Sequence, residues 1–435
     1  MQSDAFASRP KCRPDPGPAG PAPGSARPGP GPAGLGRHIS KVRTQLEGES
    51  FILAYDLGTG GVKAVLFKDS GESVASSVVP YETHYPSQGL HEQRPADWWN
   101  AIAQSTRELL DAAEADPARV GSCAISGQSL GVVPIDGHGN LLREYTPIWS
   151  DARADRQAAT FFGQIDETAW YSETGNGFPP PLYSVFKIMW YRDNEPEMFK
   201  SARHILGTKD YINYLLTGEI TTDHSYASGS GVYDLVRGCY DDGFLRAAGV
   251  PRGLLAEPVR SSEIIGTLTP AAAKQLGLHT GVQVAAGGVD NSCMALGARN
   301  TKNGRVYNSL GSSSWIAVCS DAPVVDAAMR PFVFAHVVPG LFTSAYSIFA
   351  AGSSFRWIRD TMCRDLVERA EREGADVYEL MTEEAQASPP GANGLLFNPN
   401  LAGGTGLDPD PRVRGAFAGL DLRHSRGDLI RAAME

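Results

Sequence analysis

The sequence lacks any apolar run approaching the roughly 18 consecutive residues of a membrane-spanning helix, and its N-terminus lacks the apolar core of a secretory signal. An excess of positive charge is also missing, since the net charge is -10 at pH 7. This acidic balance argues against a general nucleic-acid surface or an anionic-membrane surface. We therefore expect a soluble, cytoplasmic protein whose partner is a small molecule.

Cysteine pairs are missing as well. The six cysteines are scattered along the chain, with no CxxC pair and no histidine at metal-ligand spacing. This distribution favours reduced thiols, as in a cytoplasmic protein.

The chain of 435 residues is too long for one ordinary core, which predicts two domains with a cleft between them. Residues 1–48 are dominated by Pro, Gly, Ala and Arg, a composition that cannot bury enough apolar surface to fold. We expect a disordered tail there, although a transit peptide or a translation start placed too far upstream would have the same composition.

The remaining sequence alternates strand-like and helix-like patterns, which predicts a mixed α/β protein. Residues 51–80 indicate a β-meander, and Pro95 opens an amphipathic helix. From Gly281 the same order of turns and strands returns, which predicts a second domain. Residues 353–381 favour one long helix.

A Gly-rich turn follows the first predicted strand, in the run Asp56-Leu57-Gly58-Thr59-Gly60-Gly61-Val62-Lys63. Its sterically open backbone N–H groups can face phosphate oxygens, and Thr59 and Lys63 can reach toward a nucleotide. The carboxylate of Asp56 suits Mg²⁺. A plain hairpin turn explains the same pattern equally well.

Two further turns carry candidate chemistry. Asp290 follows Gly287-Gly288 and precedes an apolar helix, so it is either an N-cap or a general base that accepts the proton of an attacking hydroxyl. The run 310–314, Leu-Gly-Ser-Ser-Ser, is either a second phosphate clamp or a polar hairpin turn.

The order of these three turns resembles the actin and hexokinase superfamily. Within it, residues 51–435 resemble the FGGY family of carbohydrate kinases and are most similar to its xylulokinases. The matching blocks, in chain order, include DLGTGGVKAVLF, HEQRPADWW, SGQSLG, WSDARA, KDYINYLLTGE, TDHSYASGSGVYD, AGGVDN, SLGSSS and GLLFNPNLAGGTG.

The resemblance implies an α/β fold with two domains, actin/hexokinase-like (ribonuclease H-like), and a central cleft. Residues 49–280 would form the N-terminal sugar-binding domain and residues 281–435 the C-terminal nucleotide-binding domain. The second would be incomplete, because the family's Gly-Gly-Gly-Ala-like adenine segment does not occur before residue 435.

The resemblance also implies transfer of the ATP γ-phosphoryl group, with Mg²⁺, to a ketopentose such as D-xylulose, giving the 5-phosphate. No nucleic acid or membrane would take part, and a homodimer remains open. Asp290 would be the base and, with Asp56, a metal ligand. Sugar contacts would come from Gln128, Ser129, Asp151, Arg153, Asp290 and Asn291, and phosphate contacts from Gly58, Thr59, Lys63, Gly311, Ser312 and Ser313.

Some positions depart from the family pattern. Ser129-Leu130 replaces a Met-His pair whose histidine helps bind the ketopentose, and Gly404-Thr405 replaces a Glu-Arg pair. Asp151 and Arg153 could instead form a structural salt bridge. The alternatives are therefore a kinase for another ketose or polyol, a non-catalytic sugar-binding relative without an adenine pocket and, more remotely, an actin-like filament protein.

Overall fold

The computed structural model describes residues 50–311, 313–348, 350–401 and 413–435. Contacts divide the chain into two compact units: unit 1 runs up to Gly297 and includes Phe334–Leu341, while unit 2 comprises Ala298–Val333 and Phe342–Glu435. The tail predicted at 1–48 lies outside the described residues, as does the Gly404-Thr405 pair.

Unit 1 contains fifteen of the described strands and is built on a seven-stranded mixed sheet. The strands are β1 (Phe51–Leu57), β2 (Gly61–Lys68), β3 (Ser73–Pro80), β4 (Glu92–Gln93), β5 (Val120–Gly127), β6 (Val133–Ile135), β7 (Thr146–Pro147), β8 (His204–Leu206), β9 (Thr221–Asp223), β10 (Tyr233–Asp234), β11 (Cys239–Tyr240), β12 (Glu257–Val259), β13 (Ile264–Thr267), β14 (Gln283–Ala285) and β15 (Gly288–Val289).

The main sheet has the strand order β13-β14-β5-β1-β2-β3, and β15 also pairs with β5. The strands β1, β2 and β3 form the predicted antiparallel meander, whereas β5 runs parallel to β1. Alternate residues of β1 are buried, as expected for a strand with one face on the core.

The helices of unit 1 are α1 (Pro95–Ala112), α2 (Asp155–Phe162), α3 (Glu167–Thr174), α4 (Ser184–Asn194), α5 (Pro196–Ser201), α6 (Thr208–Thr217), α7 (His224–Ala227), α8 (Asp242–Ala248), α9 (Pro270–Leu276) and α10 (Asp290–Gly297). The predicted helix at Pro95 is confirmed as α1, which packs on β2 and β3. Its buried stripe includes Trp98, Ile102 and Leu109 at helical spacing.

The boundary expected after residue 280 differs from the division in the structure. Strand β14, although it follows Gly281, pairs in parallel with β5, and β15 does the same farther along. Both strands and α10 therefore complete the sheet of unit 1 rather than open unit 2. A strand pattern in the sequence gives no sign of the sheet it joins.

Unit 2 contains a four-stranded sheet in the order β16-β17-β19-β18 and a two-stranded sheet, β20-β21. The two strands predicted around the Gly-Ser turn are confirmed as β16 and β17. The strands are β16 (Val306–Leu310), β17 (Ser314–Ser320), β18 (Phe332–Ala335, whose last two residues belong to unit 1), β19 (Phe342–Ile348), β20 (Leu396–Asn398) and β21 (Ala416–Ala418).

The long helix predicted over 353–381 is wrong. The chain forms three helices here, α11 (Gly352–Met362), α12 (Arg364–Glu373) and α13 (Val377–Gln386), followed later by α14 (Arg426–Met434). Cys363 has a non-helical backbone (φ -125, ψ 32), and the left-handed Gly374 ends α12 before Asp376 caps α13. Apolar residues continue to recur across these breaks, so the sequence pattern alone does not reveal where the helices end.

In the described part of the chain, no helix combines the length and apolarity needed to cross a membrane. Cys123, Cys293, Cys319 and Cys363 are free thiols, in agreement with the prediction. Cys239 departs from it, since this residue is disulfide-bonded.

Candidate active site

The sheet of unit 1 places Asp56 beside the chain that leads into α10. In the parallel pair β1–β5, Asp56 is in register with Ser126, and Ser126 is in register with Gly288 of β15. The hydroxyl of Ser126 donates a hydrogen bond of 3.1 Å to Asp56 Oδ1. Asp290 follows β15 directly, so three neighbouring strands deliver the two predicted carboxylates to one edge of the sheet.

Asp56 lies at the C-terminal end of β1, opposite Lys63 of β2 in the antiparallel register. Its side chain remains open to solvent. Partial burial still raises the pKa of Asp56, while the hydrogen bond from Ser126 and the charge of Lys63 oppose the rise. The strand register therefore places Asp56 and Lys63 opposite each other, one on each side of the turn.

The turn between β1 and β2 is held from several sides. The Gly58 N–H donates to the carbonyl of Gly61 at 3.1 Å, and the hydroxyl of Tyr81 donates to the carbonyl of Gly58. Thr59 Oγ1 accepts from the indole Nε1 of Trp149 at 2.9 Å. These bonds fix the conformation of the turn.

Asp290 is the first residue of α10 rather than a cap that precedes it. Its Oδ1 accepts a hydrogen bond of 2.8 Å from the Asn291 backbone N–H. Burial raises the pKa of the Asp290 carboxyl to about 7; the bond from Asn291 opposes this rise, and the nearby charge of Asp56 adds to it. A carboxylate with this pKa can both lose and gain a proton near neutral pH.

The two glycines before Asp290 leave no room for side chains. A Cβ on Gly287, whose φ is +70°, would lie 2.0 Å from the carbonyl oxygen of Ile125. A Cβ on Gly288 would lie 2.4 Å from Val337 Cγ1. Close backbone approach therefore requires glycine at both positions.

Gln93 connects the Gly-rich turn with Gln128, although our sequence interpretation did not select it. Its Nε2 donates to the carbonyl of Thr59 at 2.7 Å, and its Oε1 accepts from Gln128 Nε2 at 2.8 Å and from Trp98 Nε1 at 2.9 Å. Gln93 belongs to the HEQRPADWW block, which resembles the family pattern. That resemblance could have identified Gln93 as a candidate.

Gln128 and Ser129 are both buried just after β5. The side-chain oxygen of Gln128, Oε1, is buried and has no hydrogen-bond partner among the described residues. A buried acceptor of this kind normally has a partner, so a hydroxyl donor from a ligand would complete it.

Asp151 and Arg153 form the salt bridge that the sequence left as an alternative. Arg153 donates to Asp151 through Nε and Nη2, each at 2.8 Å, and to Glu92 at 2.7 Å. Asp151 is completely buried and also accepts from the His91 backbone N–H at 2.7 Å. The pair joins β4 to the loop that follows β7.

Leu130 occupies the position where a histidine was expected. It is buried and has a left-handed backbone with φ +59°, which is uncommon for leucine. Fully buried Lys187 donates to the carbonyls of Leu130 at 3.1 Å and Ile148 at 2.6 Å. Burial lowers the pKa of Lys187 to about 7; the charge of Asp151 opposes the shift and that of Arg153 adds to it.

The predicted Gly-Ser clamp lies in unit 2, between β16 and β17. Gly311 and Ser313 are exposed, and the Gly311 N–H donates to the carbonyl of Ser313 at 2.9 Å. Ser312 lies outside the described residues. The Gly352 N–H donates to the Gly311 carbonyl at 3.0 Å, which fastens the turn to the start of α11.

The predicted site residues thus fall into four groups. The first, at the sheet edge, contains Asp56, Lys63 and Asp290. In the second, Thr59 and Gln128 are connected through Gln93. The third is the salt bridge of Asp151 and Arg153, and the fourth, Gly311 and Ser313, belongs to unit 2.

Family models cover most of the chain. The N-terminal domain of the FGGY family of carbohydrate kinases matches residues 51–297, and its C-terminal domain matches residues 306–435. These ranges agree with the contact division at Gly297.

The similar proteins include a gluconokinase and xylulose kinases. The chain is 31% identical to a gluconokinase of Bacillus subtilis over 392 residues, which is 89% of this chain and 74% of that protein. It is 29% identical to the xylulose kinase of the same organism over 388 residues, with 88% and 74% covered. The crystal structure of xylulose kinase from Rhodospirillum rubrum has a TM-score of 0.80 at 29% identity, with 88% of this chain and 76% of that chain covered.

These matches confirm the expected fold class, two α/β domains of the FGGY type. The chain belongs to the FGGY family of carbohydrate kinases and is a sugar kinase.

Proposed function

We propose that this kinase transfers the γ-phosphoryl group of ATP to a ketopentose such as D-xylulose, giving the 5-phosphate, with Asp290 as the general base. One observation carries the proposal: Asp290 and Asp56 lie at the same edge of one sheet, through the shared register of Asp56, Ser126 and Gly288. A phosphoryl transfer site needs both a proton acceptor and a carboxylate for the metal nucleotide.

Asp290 has the chemistry of a general base. Its pKa of about 7 makes it a stronger proton acceptor than an ordinary aspartate, while a useful fraction is still ionised at neutral pH. Its position at the N-terminus of α10 also favours negative charge nearby, such as phosphoryl oxygens. Asp290 would take the hydroxyl proton as the sugar oxygen attacks phosphorus in line.

The two carboxylates fit Mg²⁺. No cluster of three or more metal-ligating side chains occurs in the described ranges, and Mg²⁺ is typically held by one or two carboxylates together with water and substrate phosphates. Asp56 and Asp290 would hold it. When bound, Mg²⁺ neutralises the charge that develops on the phosphate oxygens.

The sugar would bind to unit 1. The buried, unpartnered Oε1 of Gln128 supports a hydroxyl contact there, and we include Ser129 and Asn291 as neighbours of Gln128 and Asp290. Asp151 and Arg153 are retained as candidate sugar contacts. Both oxygens of Asp151 already accept from Arg153, so Arg153, as a donor, is the better candidate for a contact to a sugar hydroxyl.

The candidate phosphate contacts of unit 1 are Gly58, Thr59 and Lys63. Those of unit 2 are Gly311 and Ser313 in the turn between β16 and β17. Glycine turns that expose N–H groups suit phosphate oxygens. We propose that unit 2 binds the nucleotide and that Ser312 takes part. A cytoplasmic location belongs to the proposal, because the enzyme requires a supply of ATP.

Gluconate is the second candidate substrate. The identity to a gluconokinase, 31%, is slightly higher than the 29% identity to a xylulose kinase. Leu130 favours this alternative, because an apolar side chain cannot replace a histidine that hydrogen-bonds a ketose.

The test is ADP release with MgATP and a panel of D-xylulose, other ketopentoses, D-gluconate, pentitols, tetroses and glycerol. Asp290→Ala is compared with Asp242→Ala. Asp242 is also the first residue of a helix, α8, but it is exposed and is distant in sequence from both Asp56 and Asp290. We expect turnover on D-xylulose, and a loss of about 10²–10⁴-fold in kcat only for Asp290→Ala.

Turnover on D-gluconate alone would show that the substrate is gluconate rather than a ketopentose, and Asp290 would remain the proposed base. Sugar binding by calorimetry without any ADP release would favour the non-catalytic alternative. Equal activity of both variants would remove Asp290 from the catalytic role.

A further inference from the structure

The segment Ala286–Val289, which leads into Asp290, is held by buried side chains from two other helices of unit 1. The carbonyl of Ala286 accepts from Asn213 Nδ2 at 2.8 Å and from Lys209 Nζ at 3.2 Å. The backbone N–H of Val289 donates to Ser225 Oγ at 2.9 Å. Each end of this four-residue segment is therefore anchored to polar side chains.

Ser225 is in turn held by Asp223. Asp223 Oδ2 accepts from the Ser225 backbone N–H at 2.9 Å, from the Ser225 hydroxyl at 2.5 Å and from the Ser261 hydroxyl at 2.7 Å. Because the Ser225 hydroxyl donates to Asp223, its lone pairs point to the Val289 N–H. The direction of this bond is thus set by the carboxylate.

Lys209 balances the charge of Asp223. Its Nζ lies 3.0 Å from Asp223 Oδ1 and 2.6 Å from Asp210 Oδ1. Lys209, Asp223 and Ser225 have no exposed surface. A buried, fully bonded network of this kind is rigid, and removing one member leaves the others without partners.

The segment needs such support because it contains Gly287 and Gly288. Glycine has more backbone freedom than any other residue, and neither position accepts a side chain that could restrain it. The α10 helix that follows is only eight residues long. Hydrogen bonds from buried side chains therefore add to the pairing of β15 with β5 in restraining this segment, and the bond from Val289 to Ser225 holds the Gly288–Val289 peptide unit.

We propose that Ser225 is a positioning residue for the phosphoryl transfer, and that it orients Asp290 through its hydrogen bond to the Val289 backbone N–H. Asp223 and Lys209 hold Ser225 in the required rotamer. Ser225 itself does not touch the sugar or the nucleotide. This inference rests on the proposed role of Asp290 as the base.

The experiment compares Ser225→Ala with Ser105→Ala in the full chain. Ser105 is an equally buried serine of unit 1, and its hydroxyl donates to the carbonyl of Ile102 in its own helix, α1. Ser225→Thr serves as the conservative variant, because it keeps the hydroxyl. Thermal unfolding of all three variants shows how much stability each change removes.

The first measurement is amide hydrogen exchange, which needs no turnover. We expect exchange at the Val289 amide to be about tenfold faster in Ser225→Ala, since one hydrogen bond is lost, and unchanged in Ser105→Ala. Unchanged exchange at Val289 would overturn the proposal, whether or not the chain phosphorylates any sugar.

The second measurement separates kcat from KM with the sugar that is turned over. We expect Ser225→Ala to lower kcat about 10- to 100-fold with KM for the sugar and for ATP within about twofold, because a displaced base weakens chemistry more than binding. Ser225→Thr should recover part of kcat. A kcat of Ser225→Ala equal to that of Ser105→Ala would overturn the proposal.

If the wild-type chain turns over no sugar, the proposed function fails, and the exchange measurement alone decides the contact. Faster exchange at Val289 would then support Ser225 as the residue that orients Asp290, while the chemistry of Asp290 would have to be reassigned.

Discussion

Ser126 donates a hydrogen bond to Asp56, and the two residues are also partners in the parallel pairing of β5 with β1. The same Ser126 is the register partner of Gly288 on β15. The backbone pairing of three strands therefore determines which side chains meet at the sheet edge. In open α/β sheets, the C-terminal ends of parallel strands are the usual location of a binding site.

The first prediction concerns Asp56. Asp56→Asn keeps the shape of the side chain and its bond from Ser126 but removes the charge for Mg²⁺, so kcat should fall about 100-fold or more. Steady-state ADP release at saturating MgATP checks this. Asp69→Asn is the matched control, because Asp69 lies in the hairpin at the opposite end of β2. Comparable losses in both variants would contradict the role of Asp56.

The second prediction is a pH dependence. Asp290 must be ionised to accept a proton, and burial, with the charge of Asp56, raises its pKa to about 7. The value of kcat/KM for the sugar should therefore rise about tenfold per pH unit below pH 7 and level off above it. Initial rates between pH 5 and pH 9 at constant ionic strength check the profile. An acid limb near pH 4 would show that an ordinary carboxylate limits the rate.

The sequence predicted the local parts of this site well. The meander, the Gly-rich turn and the helix at Pro95 were readable because each depends on neighbouring residues: apolar alternation, glycines and a first-turn proline. Asp290 was selected as a candidate because it follows Gly287-Gly288 and precedes an apolar helix.

The parts that depend on distant pairing were not readable. Strand β14 was expected in the second domain, because its sequence does not reveal that it pairs with β5. The contact of Ser225 with Val289 joins residues 64 positions apart. The same limit applied to Asp151 and Arg153, where the sequence offered a salt bridge and a sugar contact with equal merit.

The third prediction concerns Gly287. Gly287→Ala would place a Cβ against the carbonyl of Ile125 in a left-handed conformation, so the free energy of unfolding should fall by about 1–3 kcal/mol or more. Gly253→Ala is the control, because no atom lies within 4 Å of its Cβ position and its φ is not positive. Urea titration of both variants checks this. If Gly287→Ala were as stable as the control, the close contact of Gly287 with Ile125 of β5 would not exist in the folded protein.

The fourth prediction uses buried Lys187, which joins the carbonyls of Leu130 and Ile148. Burial lowers its pKa from 10.5 to about 7 in the folded state. Between these pH values the unfolded chain binds a proton that the folded chain does not. The contribution of Lys187 to stability should therefore rise with pH from about 7 to 10, by at most about 1.4 kcal/mol per unit.

The measurement is the difference in free energy of unfolding between the wild type and Lys187→Met at several pH values. Groups that titrate in both proteins cancel, so the remaining slope belongs to Lys187. We expect the wild type to gain stability relative to Lys187→Met as the pH rises from about 7 to 10. Below pH 7 the difference in stability should stay constant. Lys274→Met, on the exposed side of α9, controls for removal of a lysine elsewhere on unit 1. If the difference in free energy of unfolding from the wild type had the same pH slope for Lys187→Met and Lys274→Met, the amine of Lys187 would be charged in the folded protein at neutral pH. The two carbonyls would then hold an ammonium group.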